Sequence, residues 1–281
     1  MVVLHPRGEP APFFAHVAAA PLSVLLLDYD GTLAPFHMRP NEALPYAGVQ
    51  ERVMDIVRSG RTRVVFVTGR AIADFLPLLS IEPMPEVWGS HGWERRFPDG
   101  RYECPPLSAT LMNLLSAAAE IEDSLPEGTR AERKPYSIAV HWRGAAPDIA
   151  QRIERQIRQY WDPLVTQCAE AAIAAFDGGL ELRIKGHTKA DAVRTLLRET
   201  GGGAPVAFLG DDFTDEDAFC ALSADGLGVL VRDAVRPTAA SLWLQPPAEL
   251  LWFLEQWRAS VTSPRDRGAR SAARNTRHGR S

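Results

Sequence analysis

Four largely apolar runs, residues 24–27, 63–67, 205–209 and 226–231, limit what this chain can fold into more than any other feature of its sequence. A strand without polar alternation must be covered on both faces, which is the habit of parallel sheets flanked by helices. The first three runs end on polar residues: Asp28-Tyr29-Asp30-Gly31-Thr32-Leu33, then Thr68-Gly69-Arg70, then Gly210-Asp211-Asp212-Phe213-Thr214-Asp215-Glu216-Asp217. In open α/β sheets ligands bind beyond the carboxyl ends of the strands, so these ends are candidate site residues by position alone. Residues two apart on an extended chain point the same way, so Asp28 and Asp30 can both face one pocket. Two anions held together call for a cation, and a hard, oxygen-ligated ion such as Mg²⁺ suits them, above all beside a phosphate.

Helical periodicity over 47–57 and 71–79 separates the first strands. Residues 87–89 supply a third, followed by a hairpin over 94–103 around Pro98-Asp99-Gly100. This alternation predicts a parallel sheet with crossover helices. It breaks after Pro106, where a helix over 107–125, a strand over 136–142, a helix over 148–161, and strands over 164–176 and 180–184 around Asp177-Gly178-Gly179 read as an inserted α+β unit. It resumes with a helix capped by Thr188 and Asp191. A second such pair, Thr214 with Asp217, opens a short helix, and a closing helix covers 247–257. The expected organisation is a loose arm over 1–21, a core over 22–105 and 186–257, the insert over 106–185, and a disordered tail over 258–281.

From residue 258 onward there are seven Arg and one Asp, a local charge of +6 that leaves −10 for the body out of a formal net charge of −4. An acidic body is not a nucleic-acid surface. The tail reads as a solubilising extension, with binding to a phosphate backbone or an acidic partner as the sharper alternative. Three unevenly spaced cysteines fit neither a disulfide framework nor a zinc signature, which points to a reducing cytosol. No stretch approaches the roughly 18 apolar residues of a membrane span. A soluble, cytoplasmic monomer or weak dimer is expected.

The polar strand ends offer complementary tools. A carboxylate such as Asp28 can attack phosphorus, splitting one difficult hydrolysis into two easier displacements. Asp30 can protonate the leaving oxygen and later activate water. Thr68 and the Gly69 amide can hydrogen-bond the transferring phosphoryl oxygens, and Lys189 can supply positive charge. Asp211 and Asp215 would complete a metal site with Asp28 and Asp30. Taken singly, His91 and His141 are plain packed histidines, and Glu132 with Lys134 is a solvated charge cluster.

Together the motifs at Asp28, Thr68, Lys189 and Gly210–Asp217 resemble the four motifs of the haloacid dehalogenase superfamily of phosphatases. Within it the chain is most similar to the trehalose-6-phosphate phosphatases. That narrower likeness rests on Gly89-Ser90-His91-Gly92-Trp93-Glu94, on Glu132-Arg133-Lys134-Pro135-Tyr136-Ser137 leading to His141-Trp142-Arg143-Gly144, and on Leu180-Glu181-Leu182-Arg183. The resemblance implies an α/β fold, a Rossmann-like parallel sheet core with the insert as an α+β cap domain. It implies Mg²⁺-dependent hydrolysis of trehalose 6-phosphate through an aspartyl-phosphate, as in trehalose biosynthesis. It further implies Gly69 and Arg70 near the substrate, and Glu132, Lys134 and Glu181 holding glucose hydroxyls, with His141 and Arg143 on the same face. Lys189 is favoured over Lys185 as the phosphate-facing ammonium because it opens a helix at the crevice. Two alternatives stay open: a phosphatase of sucrose 6-phosphate or mannosyl-3-phosphoglycerate, and a catalytically silent sugar-phosphate sensor.

Overall fold

The computed structural model describes residues 1–262 except Met38 and Asp177. Its strands, in chain order, are β1 (Val2–Val3), β2 (Ser23–Leu27), β3 (Thr62–Val67), β4 (Glu86–Gly89), β5 (Glu94–Arg96), β6 (Tyr102–Glu103), β7 (Arg130–Lys134), β8 (Ser137–His141), β9 (Ala171–Phe176), β10 (Gly179–Ile184), β11 (Val206–Gly210), β12 (Leu227–Val231) and β13 (Leu242–Leu244). The helices are α1 (Pro10–Ala19), α2 (Val49–Arg58), α3 (Ile72–Phe75), α4 (Ala109–Ala119), α5 (Pro147–Thr166), α6 (Lys189–Glu199), α7 (Glu216–Ala221) and α8 (Ala248–Val261). No helix among the described residues is long and apolar enough to cross a membrane.

The larger sheet runs β1-β13-β12-β11-β2-β3-β4-β5-β6, parallel from β13 to β4 and antiparallel at both margins. All five residues of β2 are buried, as an unbroken apolar run requires. Leu25 and Leu27 join a cluster with Val53 and Ile56 of α2 and Leu250 and Phe253 of α8. Val24 and Leu26 join the opposite cluster, with Val193 and Leu196 of α6 and Phe219 of α7. From β2 the chain winds one way through β3 and β4, then returns to β11 on the other side of β2. The strand order therefore reverses between β2 and β11, and a crevice opens where their carboxyl ends diverge.

The smaller sheet, β7-β8-β10-β9, is antiparallel throughout. Its alternation has a clear sense. Ile138, Val140, Leu180, Leu182 and Ile184 pack with Leu111 and Leu115 of α4 and Ile153, Ile157 and Trp161 of α5. The register leaves Arg130, Glu132 and Lys134, Ser137, Ala139 and His141, Gly179, Glu181 and Arg183, and Ala172, Ala174 and Phe176 on the other face.

Several expectations are corrected. The segment 1–21 is not a loose arm. β1 pairs with β13, and Phe13, Phe14 and Val17 of α1 are buried, with Phe13 and Phe14 against Trp257 and Phe253 of α8. Each such burial is worth about 2 kcal/mol. The expectation overlooked Phe13, Phe14 and Val17 as one buried helical face; Pro10 is compatible with that helix because it sits in the first turn, where no intrahelical N–H bond is needed. α5 continues through Pro163 to Thr166, so the strand expected from 164 begins only at Ala171. The cap at the end of β11 is Asp212 with Asp215, not Thr214 with Asp217. Arg258 lies within α8 rather than in a tail. The remainder of the tail and the Asp177 position of the expected turn lie outside the described residues.

Candidate active site

The apolar run of β2 carries Asp28 to the reversal point, where its backbone N–H donates to the Leu209 carbonyl of β11 at 2.9 Å. Asp28 is 3% exposed. Its Oδ2 accepts from Thr32 Oγ1 at 3.0 Å, and its Oδ1 accepts from Lys189 Nζ at 2.6 Å. The same ammonium donates to Asp215 Oδ1 at 2.7 Å. Asp215 Oδ2 is taken up by the backbone N–H groups of Asp211 and Asp212, at 3.0 and 2.9 Å. Gly31 has a φ of 82°, and a Cβ there would stand 2.2 Å from Asp211 Oδ2, so only glycine lets this loop approach the third acid.

Asp28, Asp211 and Asp215 each offer an oxygen within 4.8 Å of the others, and all three are buried. One ammonium against three carboxylates leaves two negative charges uncompensated. Burial pushes Asp28 up to about 7, with Lys189 opposing and Asp215 adding. Burial and the charges of Asp28 and Asp215 push Asp211 well above the usual carboxylate range. Against its own burial, Lys189 is raised by Asp215 and Asp28 and stays charged. Among the described residues, the Asp211 carboxylate accepts a single hydrogen bond, from Thr32 Oγ1 at 3.4 Å. A buried oxygen-donor set with surplus negative charge fits a hard divalent cation.

Asp30 stands apart from this trio. Arg70 grips its carboxylate through Nε at 2.6 Å and Nη2 at 2.5 Å, and donates from Nη1 to the Pro40 carbonyl at 2.9 Å. Thr68 is 1% exposed, with its Oγ1 accepting from the Arg70 N–H at 3.1 Å. The loop Thr68–Arg70 is tied to the turn after β4: the N–H groups of His91 and Ser90 donate to the carbonyls of Thr68 and Arg70 at 3.0 and 2.7 Å. That turn holds Ser90 and His91 at φ of 47° and 56°, a left-handed pair without glycine. A Cβ on Gly69 would come 2.6 Å from the His91 ring. Burial pushes His91 down to about 3, with Lys134, Lys189 and Arg183 adding and Glu181 opposing, so the ring is neutral.

Above this floor the charged face of the smaller sheet closes a cavity of about 770 Å³. Asp28, Asp30, Gly69, Arg70, His91, Lys189 and Asp211 line it from the larger sheet. Glu132, Lys134, His141 and Arg143 line it from the smaller one. His141 Nε2 and Glu132 Oε2 share a hydrogen bond of 2.8 Å. Burial opposes the ionisation of Glu132, but that bond and the charge of Lys134 hold its carboxyl at about 2. Glu181 does not reach the large cavity. It sits behind Lys134, accepting 3.2 Å from its Nζ and 2.7 Å from Ser137 Oγ, beside a separate cavity of about 20 Å³. Lys185 is exposed and donates to the Ala169 carbonyl at 3.0 Å, away from the acids.

Sequence reasoning missed several lining residues. Arg130 was hidden because β7 reads as a charge cluster: four of its five residues are charged, and the register alone puts Arg130, Glu132 and Lys134 on one face and Arg133 on the other. Phe36, Arg39 and Asn41 come from an irregular loop with no periodic signal, and Phe176 from a strand end beside a turn.

Among known proteins, the chain is 32% identical over 251 residues to the trehalose-phosphate phosphatase of Mycobacterium avium (strain 104), covering 83% of this chain and 61% of that protein. It is 30% identical over 246 residues to that of Mycobacterium marinum, covering 83% and 60%. The chain thus spans about 60% of the length of the curated relatives it matches. Aspergillus fumigatus trehalose-6-phosphate phosphatase superposes with a TM-score of 0.64 at 25% identity, covering 91% of this chain and 99% of that one. The C-terminal domain of the Candida albicans enzyme shares the fold, with a TM-score of 0.77 at 19% identity over 92% and 99% of the two chains. The family profile described as trehalose-phosphatase matches residues 26–246, which contain both sheets' site residues, and the chain belongs to that family.

Proposed function

We propose that this protein hydrolyses trehalose 6-phosphate to trehalose and inorganic phosphate, in the cytosol, through a phosphorylated Asp28. The observation that carries the reading is the position of Asp28. It is a buried carboxylate at the floor of the cavity, held between Thr32 and Lys189 and flanked by Asp211 and Asp215. The mycobacterial relatives named trehalose-phosphate phosphatase support the substrate.

In the first step Asp28 attacks phosphorus as the bond to the sugar oxygen breaks, and a proton from Asp30 goes to that oxygen. In the second, water attacks the phosphorus of the acyl phosphate, Asp30 takes its proton, and phosphate leaves with Asp28 restored. Arg70, now paired with Asp30, can turn to the phosphoryl oxygens when the ester enters, which frees Asp30 to carry its proton. The Gly69 amide and Lys189 balance charge on the transferring group. Asp28, Asp211 and Asp215 would hold Mg²⁺, which when bound offsets the repulsion between an anionic nucleophile and an anionic ester. Glu132 and Lys134 meet the sugar from the cap side, and Glu181 fixes Lys134 from behind.

Phosphate release from a panel of sugar phosphates, with Mg²⁺ and with EDTA, tests this directly. Trehalose 6-phosphate should be the best substrate, EDTA should silence the enzyme, and Asp28→Asn should have no turnover. Equal or faster release from sucrose 6-phosphate or mannosyl-3-phosphoglycerate would refute the substrate, and activity surviving in Asp28→Asn would refute the mechanism.

A further inference from the structure

The cavity-facing side of the smaller sheet is graded along its strands. Its register sets three transverse rows: Lys134, Ser137, Arg183 and Ala172; then Glu132, Ala139, Glu181 and Ala174; then Arg130, His141, Gly179 and Phe176. Successive rows are about 7 Å apart along the strands. The first two carry the carboxylates and the lysine, with alanines leaving a trough beside them. The third, farthest from the crossing at Ile184 where the chain returns to the core, carries an aromatic ring.

That ring is positioned rather than merely exposed. A Cβ on Gly179 would stand 2.0 Å from Phe176 Cζ, so the ring lies over a stretch of backbone that only glycine leaves bare. Its other neighbour is His141, at 5.1 Å between ring centroids, and His141 is itself fixed by Glu132. Phe176 lines the same cavity as Phe36, a core-loop residue that is 53% exposed with the Arg143 guanidinium 5.0 Å from its ring centre. Both are apolar surfaces in a cavity otherwise rich in charged side chains. A pyranose is the complement of such a wall, since it shows hydroxyls at its rim and carbon-bound hydrogens on its face.

We propose that Phe176 is a specificity-determining residue, an aromatic platform for the second, unphosphorylated ring of a disaccharide phosphate, with Phe36 contributing from the core. This deepens the reading of the substrate given above and rests on it. With the phosphate at Asp28 and the first ring at Glu132 and Lys134, one further row outward places the second ring on Phe176. A monosaccharide phosphate does not reach that row.

The test compares kcat/KM for trehalose 6-phosphate and glucose 6-phosphate in the wild type, Phe176→Ala and Phe176→Tyr, with enzyme concentrations high enough to read slow turnover. Phe176→Ala should lose about tenfold on trehalose 6-phosphate, mostly in KM, the scale of one lost aromatic stacking contact. It should leave glucose 6-phosphate unchanged, and Phe176→Tyr should restore the wild-type ratio. A wild type that prefers trehalose 6-phosphate, with Phe176→Ala losing equally on both substrates or on neither, overturns the platform alone. A wild type that hydrolyses both substrates equally well overturns the disaccharide reading and the platform with it.

Discussion

Replacing Asp211 by asparagine should stabilise the metal-free protein while destroying its response to Mg²⁺. Asp28, Asp211 and Asp215 share a buried pocket with Lys189 as the cation bonded to two of them. Burial, with Lys189 opposing and Asp215 and Asp30 adding, raises Asp28 from 3.8 to about 7. A carboxyl whose pKa is raised on folding holds its proton more tightly in the native state. Its stabilisation is therefore fully present below the unfolded pKa and is lost as pH rises through the folded one. A shift of that size corresponds to about 4 kcal/mol lost between roughly pH 4 and pH 8. Asp211 is raised in the same direction by its own burial and by the charges of Asp28 and Asp215, so Asp211→Asn removes that group's share of the loss and should be more stable than the wild type at pH 8, with little difference at pH 5. Urea unfolding of both proteins in EDTA at the two pH values reads the difference directly. In excess Mg²⁺ the order should reverse at pH 8, because ligand binding to the native state stabilises the wild type and not the variant. If Asp211→Asn were destabilising in EDTA by the same amount at both pH values, the carboxylates would not be repelling one another. The case for a divalent site would then fall.

Two further outcomes follow from the same geometry. Asp30→Asn should lower kcat by about 10²- to 10⁴-fold, the usual worth of a positioned acid, with KM little changed, and rapid quench should show slower phosphorylation of Asp28. Trp93 stacks on Tyr136 at 4.1 Å between centroids and leans on His187 at 4.4 Å, joining the core to the turn between β7 and β8 and to the segment that returns from β10. Trp93→Ala should cost about 2 kcal/mol in urea unfolding, as a partly buried aromatic truncation, and should raise KM for the sugar phosphate.

The parts of the site that were legible in the sequence are those where local physics and function coincide. Asp28, Thr68 and Asp211 each follow a run too apolar to be anything but a buried strand, and Lys189 follows Thr188, whose pairing with Asp191 announces a helix start. Such signals survive because the sheet needs the apolar run and the capping pair whatever the chemistry. Failures came where a residue's usual meaning was reversed by position. Pro10 begins α1, Pro163 is carried inside α5, and the charged run of β7 is a strand whose register sorts Arg130, Glu132 and Lys134 to one face, with Ala131 and Arg133 on the other. Phe176 had no signal, because nothing in the run Ala171–Phe176 separates a ring lining a cavity from one filling a core.

This division between what could and could not be read has a physical origin in the two sheets. In the larger one, both faces of the central strands are buried, so polar groups can appear only at the ends, and the chemistry is forced to the rim where β2 and β11 part. In the smaller one, a single face is covered by α4 and α5, so every second residue along four strands is free to vary without loss of packing. The proposed attack on phosphorus requires few groups, rigidly held, and the ends of the buried strands are where such groups can be held. Discrimination among sugars requires many groups over a broad surface, and only a half-covered sheet can offer it. A change of substrate would therefore be written in the alternating positions from Arg130 to Phe176, with the acids at the ends of β2 and β11 left as they are.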